Sequence, residues 1–112
     1  MKKYRDKSDP GINKAVFVAA KINHDDTDLN GSKVFYYNGA KWIEFDPCNN
    51  PADAMPIIIE NGICMNYIYK DIGWGAYHFD EEKGELEIYD KNYYRAAMIC
   101  FLIMKDEENE KI

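Results

Sequence analysis

The sequence predicts an α+β fold: a small antiparallel sheet of four to five strands packed with about three helices, as a helix–sheet–helix sandwich. Three observations carry that expectation. Segment 10–22 holds apolar residues at helical spacing, and 93–105 reads as a buried helix. Asn38-Gly39 separates two aromatic runs, the pattern of a hairpin. Short aromatic and apolar runs at 63–69 and 74–79, separated by a polar KDIG, add further strands. At 112 residues the chain fits one domain, 1–112, with 1–8 and 106–112 expected to fray.

Asp9 is a fit cap for the first helix, with Pro10 at its first helical position, where a missing N–H costs nothing. Ile12, Ala15, Val16, Ala19 and Ala20 then form the apolar face of a helix over 10–22. NHDDTDLNG, residues 23–31, reads as a polar loop. In KVFYYNGAKWIEF, residues 33–45, Val34 to Tyr37 lead into the turn, and both Asn38 and Gly39 accept positive φ. On the outgoing strand Trp42 and Glu44 face one way, Ile43 and Phe45 the other.

After Asp46-Pro47 turns the chain, Asn49, Asn50 and Asp53 are all good helix caps. With Asn50 as cap, Pro51 is the first helical residue and Pro56 falls in the interior, removing a bond to residue 52. With Asp53 as cap, Pro56 lies in the first turn and is tolerated. A regular helix beginning near Asp53, after an irregular turn from Pro51, is therefore preferred. Asn61-Gly62 stops it. Strands at 63–69, 74–79 and 86–89 follow. Asn92 then caps the last helix, YYRAAMICFLIMK, whose apolar residues run nearly all round it. Such a helix must be covered by its own chain or by a partner. The expectation is a homodimer, with its interface on this helix or on the hairpin 34–45.

The net charge of −6 opposes binding to nucleic-acid backbones. The acidic clusters at 25–28, 80–90 and 106–110 read as solvated surface, with an acidic nucleic-acid mimic as the sharper alternative. Nine tyrosines imply a polar-tipped core or an adhesive face. Cys48, Cys64 and Cys100 include no CxxC pair, and His24 and His78 lie far from them in sequence. No zinc site is expected, and the thiols read as reduced, in a cytosolic setting. MKKYRDKSDP lacks an apolar signal region, and AAMICFLIM is too short to span a bilayer. No membrane partner is expected. Dinucleotide, P-loop and HExxH motifs are absent from the sequence, and no cofactor is expected.

The stretch FDPCNNPADAMPIIIENG, residues 45–62, concentrates the candidate site. Asp46, Asn49, Asn50 and Asp53 offer oxygens to a cation or a polar ligand, although capping and turn formation explain them too. Trp74, with Tyr77 or His78 beside it, offers a ring for stacking, or core packing. Arg95 opposes the helix dipole in the first turn of the last helix and so needs a partner. A structural ion pair with Asp46 or Asp53 is favoured over a small anionic ligand. A Cys48 nucleophile would need His24 or His78 to approach it through the fold. The only serines, Ser8 and Ser32, have no triad context. No catalytic residue is assigned.

NKAV near the start, CNNPADAMPIIIENGI, WGA and NYYRAAMICFLIM together resemble the NinX-like family of small phage-encoded proteins. The resemblance covers essentially the whole chain, and is most specific around 53–63 and 95–104. The family usually has Trp-Pro where this chain has Met55-Pro56, and often Asn-Pro-Leu-Arg at Asn92 to Arg95. The layout is also similar to phage ABA-sandwich domains. The resemblance implies a phage or prophage accessory protein in the host cytoplasm. It implies a helix–sheet–helix sandwich and no catalytic residue. The expected function is non-catalytic binding to a host or phage protein, for example in counter-defence. The alternative is binding of a small molecule or nucleotide signal, with Trp74, Arg95 and the 46–53 loop converging on it.

Overall fold

The computed structural model describes residues 2–110. A single helical turn, α1 (Lys2–Arg5), precedes α2 (Asp9–Ala19). Ser8, not Asp9, caps α2: its side chain accepts the Gly11 N–H at 3.4 Å. Asp9 is instead the first helical residue, and its carboxylate is engaged by Arg95. The helix stops three residues short of the expected 22, with Ala20 as its C-cap and Lys21 in the left-handed region at φ 53°.

The expected polar loop contains a strand, β1 (Asp26–Asp28), which pairs antiparallel with β2 (Val34–Tyr37). β2 in turn pairs with β3 (Trp42–Phe45). An Asp-Thr-Asp strand has poor intrinsic β propensity, so its pairing comes from the neighbour rather than from its own residues. The turn between β2 and β3 holds four residues, Asn38 to Lys41. Asn38 Oδ1 accepts the N–H groups of Ala40 and Lys41 at 2.8 and 2.9 Å. Only Gly39 of the Asn-Gly pair has positive φ, at 96°.

α3 (Pro51–Glu60) is capped by Asn50, whose Oδ1 accepts the Ala52 N–H at 3.0 Å. This corrects the expected start near Asp53 and leaves Pro56 inside the helix. Asp53 was unavailable as a cap because its Oδ2 accepts the N–H of Asp46 at 2.9 Å. The expected stop holds. Ile63 N–H donates to the Ile58 carbonyl at 3.0 Å, and Gly62 N–H to the Ile59 carbonyl at 3.3 Å. Gly62 sits at φ 64°, the left-handed residue that this paired closure requires.

β4 (Cys64–Tyr67), β5 (Trp74–Asp80) and β6 (Gly84–Asp90) form a second antiparallel meander. The fold is thus α+β, as expected, but with two three-stranded sheets in place of one sheet of four to five strands. The physical reason is α3, which intervenes between β3 and β4 and separates the two meanders in the chain.

α4 (Tyr93–Glu110) is the centre of the core. Asn92 caps it, accepting the Tyr94 and Arg95 N–H groups at 2.9 and 3.2 Å. Ala96 through Met104 are all buried, at 0–8% exposure. α2, α3, β5 and β6 surround them within one chain. This all-round cover explains why the helix has no polar stripe, at roughly 1.5–3 kcal/mol of stabilisation per large apolar side chain buried. The first sheet packs on α2 through Phe17, whose ring lies 5.7 Å from both Tyr36 and Phe45. The acidic 106–110 stretch, expected to fray, continues α4, and the Tyr4 hydroxyl donates to Asp106 at 2.5 Å. Within the expected frayed start, residues 2–5 are helical as α1. Residues 1, 111 and 112 lie outside the described residues.

Candidate functional site

The polar stretch between β3 and α3 closes on itself and on three other elements. The Asp46 carbonyl accepts the N–H groups of Asn49 and Asn50 at 3.1 and 2.8 Å, which makes the turn. Asp46 Oδ1 accepts from Asn13 Nδ2 at 2.7 Å and from Asn49 Nδ2 at 3.1 Å. Asn13 Oδ1 accepts the Cys48 N–H at 3.1 Å, and the Cys48 carbonyl accepts Asn92 Nδ2 at 2.9 Å. Two side-chain amides, one from α2 and one from the cap of α4, therefore hold the backbone of Cys48 on both sides.

Asn13 is the residue that sequence reasoning missed. It is 6% exposed, in the middle of α2. A helical Asn flanked by apolar Ile12 and Val16 was its available signal. A polar group at a buried helical position must find partners, and here it finds one on each side of its amide.

Arg95 is held by a structural ion pair, as favoured, but with other partners. Its Nη1 lies 2.8 Å from Asp9 Oδ1 and its Nε 3.2 Å from Asp90 Oδ2. Its Nη2 donates to the carbonyls of Lys7 at 2.5 Å and Arg5 at 3.2 Å. Asp46 and Asp53 are instead committed to Asn13, Asn49 and the Asp46 N–H. The Arg95 side chain is 13% exposed, so the guanidinium faces into the fold and is balanced by two carboxylates. Asn49 Nδ2 also reaches Asp9, at 3.4 Å, which joins the Arg95 cluster to the loop.

Trp74 contributes its ring to a different set of contacts. It stacks edge-on with Tyr67 at 5.2 Å and Tyr93 at 4.9 Å, and Tyr93 meets Tyr94 at 5.0 Å. His78, opposite Leu86 across the sheet, has a buried Nδ1 without a hydrogen-bond partner among the described residues. It lines a cavity of about 40 Å³ with Asp80, Lys83, Met104 and Glu107. The sequence-predicted residues thus separate into a connected loop network and two aromatic positions on β5. Asn50 joins the network through its N–H on the Asp46 carbonyl, and its side chain caps α3.

The electrostatics match a structural role. Burial pushes the Cys48 thiol up to about 12, with Asp9 adding to the effect and Arg95 opposing it. His24, a suggested base for that thiol, packs its ring on Phe17 and has Nδ1 2.7 Å from the Ile22 carbonyl. Burial also raises the Asp53 carboxyl above its usual range, against the lowering effect of the Asp46 N–H. A cavity of about 190 Å³ opens beside the network, lined by Asp9, Asn13, Ser32, Lys33, Glu44, Asp46 and Asn49. In its wall Asp9, Asn13, Asp46 and Asn49 already bond one another, and Lys33 approaches Glu44. Among the described residues no cluster of three His, Cys, Asp or Glu could hold a metal ion. Among them, too, no helix is long and apolar enough to cross a membrane.

The sequence model of the bacteriophage P22 NinX family matches residues 3–105. This chain belongs to the NinX family. The match takes in the caps of all three long helices, the loop network and both sheets. The comparison with curated proteins found no match. Family membership makes the chain a phage accessory protein.

Proposed function

We propose that this NinX-family protein acts in the host cytoplasm by binding a host or phage protein, without catalysis, as in counter-defence. One observation carries the reading: large aromatic side chains stand in solvent on both sheets. Trp42 on β3, Tyr67 on β4 and Phe79 on β5 are 49–68% exposed, and Tyr69 stands exposed in the link after β4, while α4 supplies the interior with apolar residues. Exposed aromatics on rigid strands are what protein interfaces use as anchors. The residues with the most chemical capacity are meanwhile consumed internally. Arg95 is neutralised by Asp9 and Asp90, and the Cys48 and Cys100 thiols are pushed up to about 12 by burial.

A small-molecule or nucleotide-signal function has less support. It required Trp74, Arg95 and the 46–53 loop to converge on an open cavity. Trp74 is packed between two tyrosines, and the Arg95 guanidinium is filled by protein acceptors. The deciding experiment is affinity capture from host lysate, with and without phage infection, beside a thermal-shift screen of nucleotides. Near-stoichiometric retention of a defined protein, with no nucleotide shift, is the expected result. A nucleotide-dependent rise in Tm with no retained protein would overturn it.

A further inference from the structure

The pairing register places six side chains on the outer face of the first sheet. Asp28, Phe35 and Glu44 form one row, and Asp26, Tyr37 and Trp42 the next. The opposite face carries Val34, Tyr36, Ile43 and Phe45 and packs toward α2. The outer face is therefore half carboxylate and half aromatic. Tyr37 and Trp42 lie side by side, with ring centroids 5.5 Å apart, and Trp42 is 49% exposed. Lys33 approaches Glu44 only loosely, at 3.9 Å, with both side chains well exposed.

We infer that this face, Asp26, Asp28, Phe35, Tyr37, Trp42 and Glu44, docks an extended, Lys- or Arg-rich segment of a protein partner. The inference rests on the binding role proposed above and names its surface and the chemistry of its partner. Charge complementarity selects the occupant. The face presents three acids within a chain of net charge −6, so it repels nucleic acid and equally repels its own face on a second copy. Aromatic rings beside carboxylates offer a cation both an ion pair and a π-face. Asp26 and Asp28, two residues apart on one strand, stand roughly 7 Å apart, which is also the spacing of alternate side chains on an extended peptide. The second sheet is a poorer candidate, although its outer face also mixes acids and aromatics. There the Tyr89 hydroxyl donates to Glu87, and the neighbouring Glu87 raises the Glu85 carboxyl. An aromatic hydroxyl thus occupies one acid of that face, whereas Asp26 and Asp28 accept backbone N–H groups through Oδ1 and the Tyr37 and Trp42 rings stack on each other.

The test is calorimetric titration of the full chain with an eight-residue peptide alternating Arg and Thr, and with a Glu-Thr control. The Arg peptide should bind, and binding should weaken about tenfold between low and physiological salt, as exposed ion pairs do. The triple variant Asp26→Asn, Asp28→Asn, Glu44→Gln should weaken it at least about tenfold. Asp26 and Asp28 accept the Thr27 and Asn30 N–H groups, a role Asn retains, so the sheet is expected to persist, which circular dichroism checks. Trp42→Ala should weaken binding several-fold with the salt slope unchanged. The pair Glu85→Gln, Glu87→Gln on the other sheet should leave it intact. Equal loss in that pair, an unaffected triple variant, or no heat with the Arg peptide would each overturn the assignment. Lysate capture separates the two levels. A partner retained equally by wild type and triple variant refutes this surface but not the binding role, whereas no partner for either refutes the role.

Discussion

At the residue scale, Arg95 shows how an unfavourable local choice is repaid by the fold. A cation in the first turn of α4 opposes the helix dipole, yet two carboxylates from α2 and β6 and two carbonyls, of Arg5 at the end of α1 and Lys7 just after it, gather on it. Its need for a partner was legible in the sequence. Which acids supply it was not: Asp9 lies 86 residues away and is brought in by the tertiary path, and Asp90, 5 residues away, lies at the end of β6 before the α4 cap. Arg95→Lys should lower stability by about 2 kcal/mol in urea denaturation, since an ammonium cannot span the four acceptors and two acids are left under-compensated. A loss near zero would mean that the cluster is solvated surface. Asp53 gives a pH signature. Its folded-state pKa is raised, so the folded chain holds the proton more tightly, and this group's contribution favours folding at low pH and is lost as pH rises through the folded value. Asp53→Asn keeps an acceptor for the Asp46 N–H and removes the titration. The variant should therefore be at least as stable as wild type at neutral pH, with any advantage shrinking on acidification. An advantage that instead grows as pH falls from 7 to 4 would refute the burial argument.

At the element scale, α3 is where two local rules compete. Both caps were visible in CNNPADAMP, and the reading that spared Pro56 lost. Asn50 caps, Pro51 takes the first helical position, and Pro56 interrupts the ladder at Ala52. The deciding contact is long in sequence terms: Asp53 is drawn back to the Asp46 N–H, seven residues upstream, to close the turn. Propensity within α3 contains no trace of that bond. β1 was hidden for the same reason, since Asp-Thr-Asp pairs only because Phe35 to Tyr37 present an unpaired edge. The hairpin, the α3 stop and the α4 cap, by contrast, rest on short-range signals and were read correctly. Pro56 is exposed, so its replacement tests the helix alone. Pro56→Ala should stabilise the protein by about 1–2 kcal/mol, an interior proline costing roughly 3 kcal/mol and returning part of that by restricting the unfolded chain. A fall in the urea midpoint would show that the proline sets a bend on which the packing against α4 depends.

At the scale of the whole molecule, α4 decides how many chains the fold needs. Its apolar circumference reads from sequence as a surface wanting a second subunit. Two separate meanders and two helices of the same chain supply cover that the sequence pattern does not reveal. Every residue from Ala96 to Met104 is at most 8% exposed within one chain, so the leftover apolar face that motivated a dimer is not there. Among the described residues the large exposed apolar side chains are scattered: Val18 and Ile59 on α2 and α3, Tyr69 between β4 and β5, and aromatics of the two sheets. The hairpin is then the remaining route to self-association, and its outer face carries Asp26, Asp28 and Glu44, which repel a like copy. The chain should therefore sediment as a 13.1 kDa monomer at low micromolar concentration and physiological salt. Screening those carboxylates with about 1 M salt shortens their reach to roughly 3 Å and leaves Trp42 and Tyr37 free to meet their counterparts. Any dimer should thus appear with rising salt and vanish in Trp42→Ala. A dimer already complete at low salt, and unaffected by that substitution, would place the interface elsewhere and remove the electrostatic argument with it.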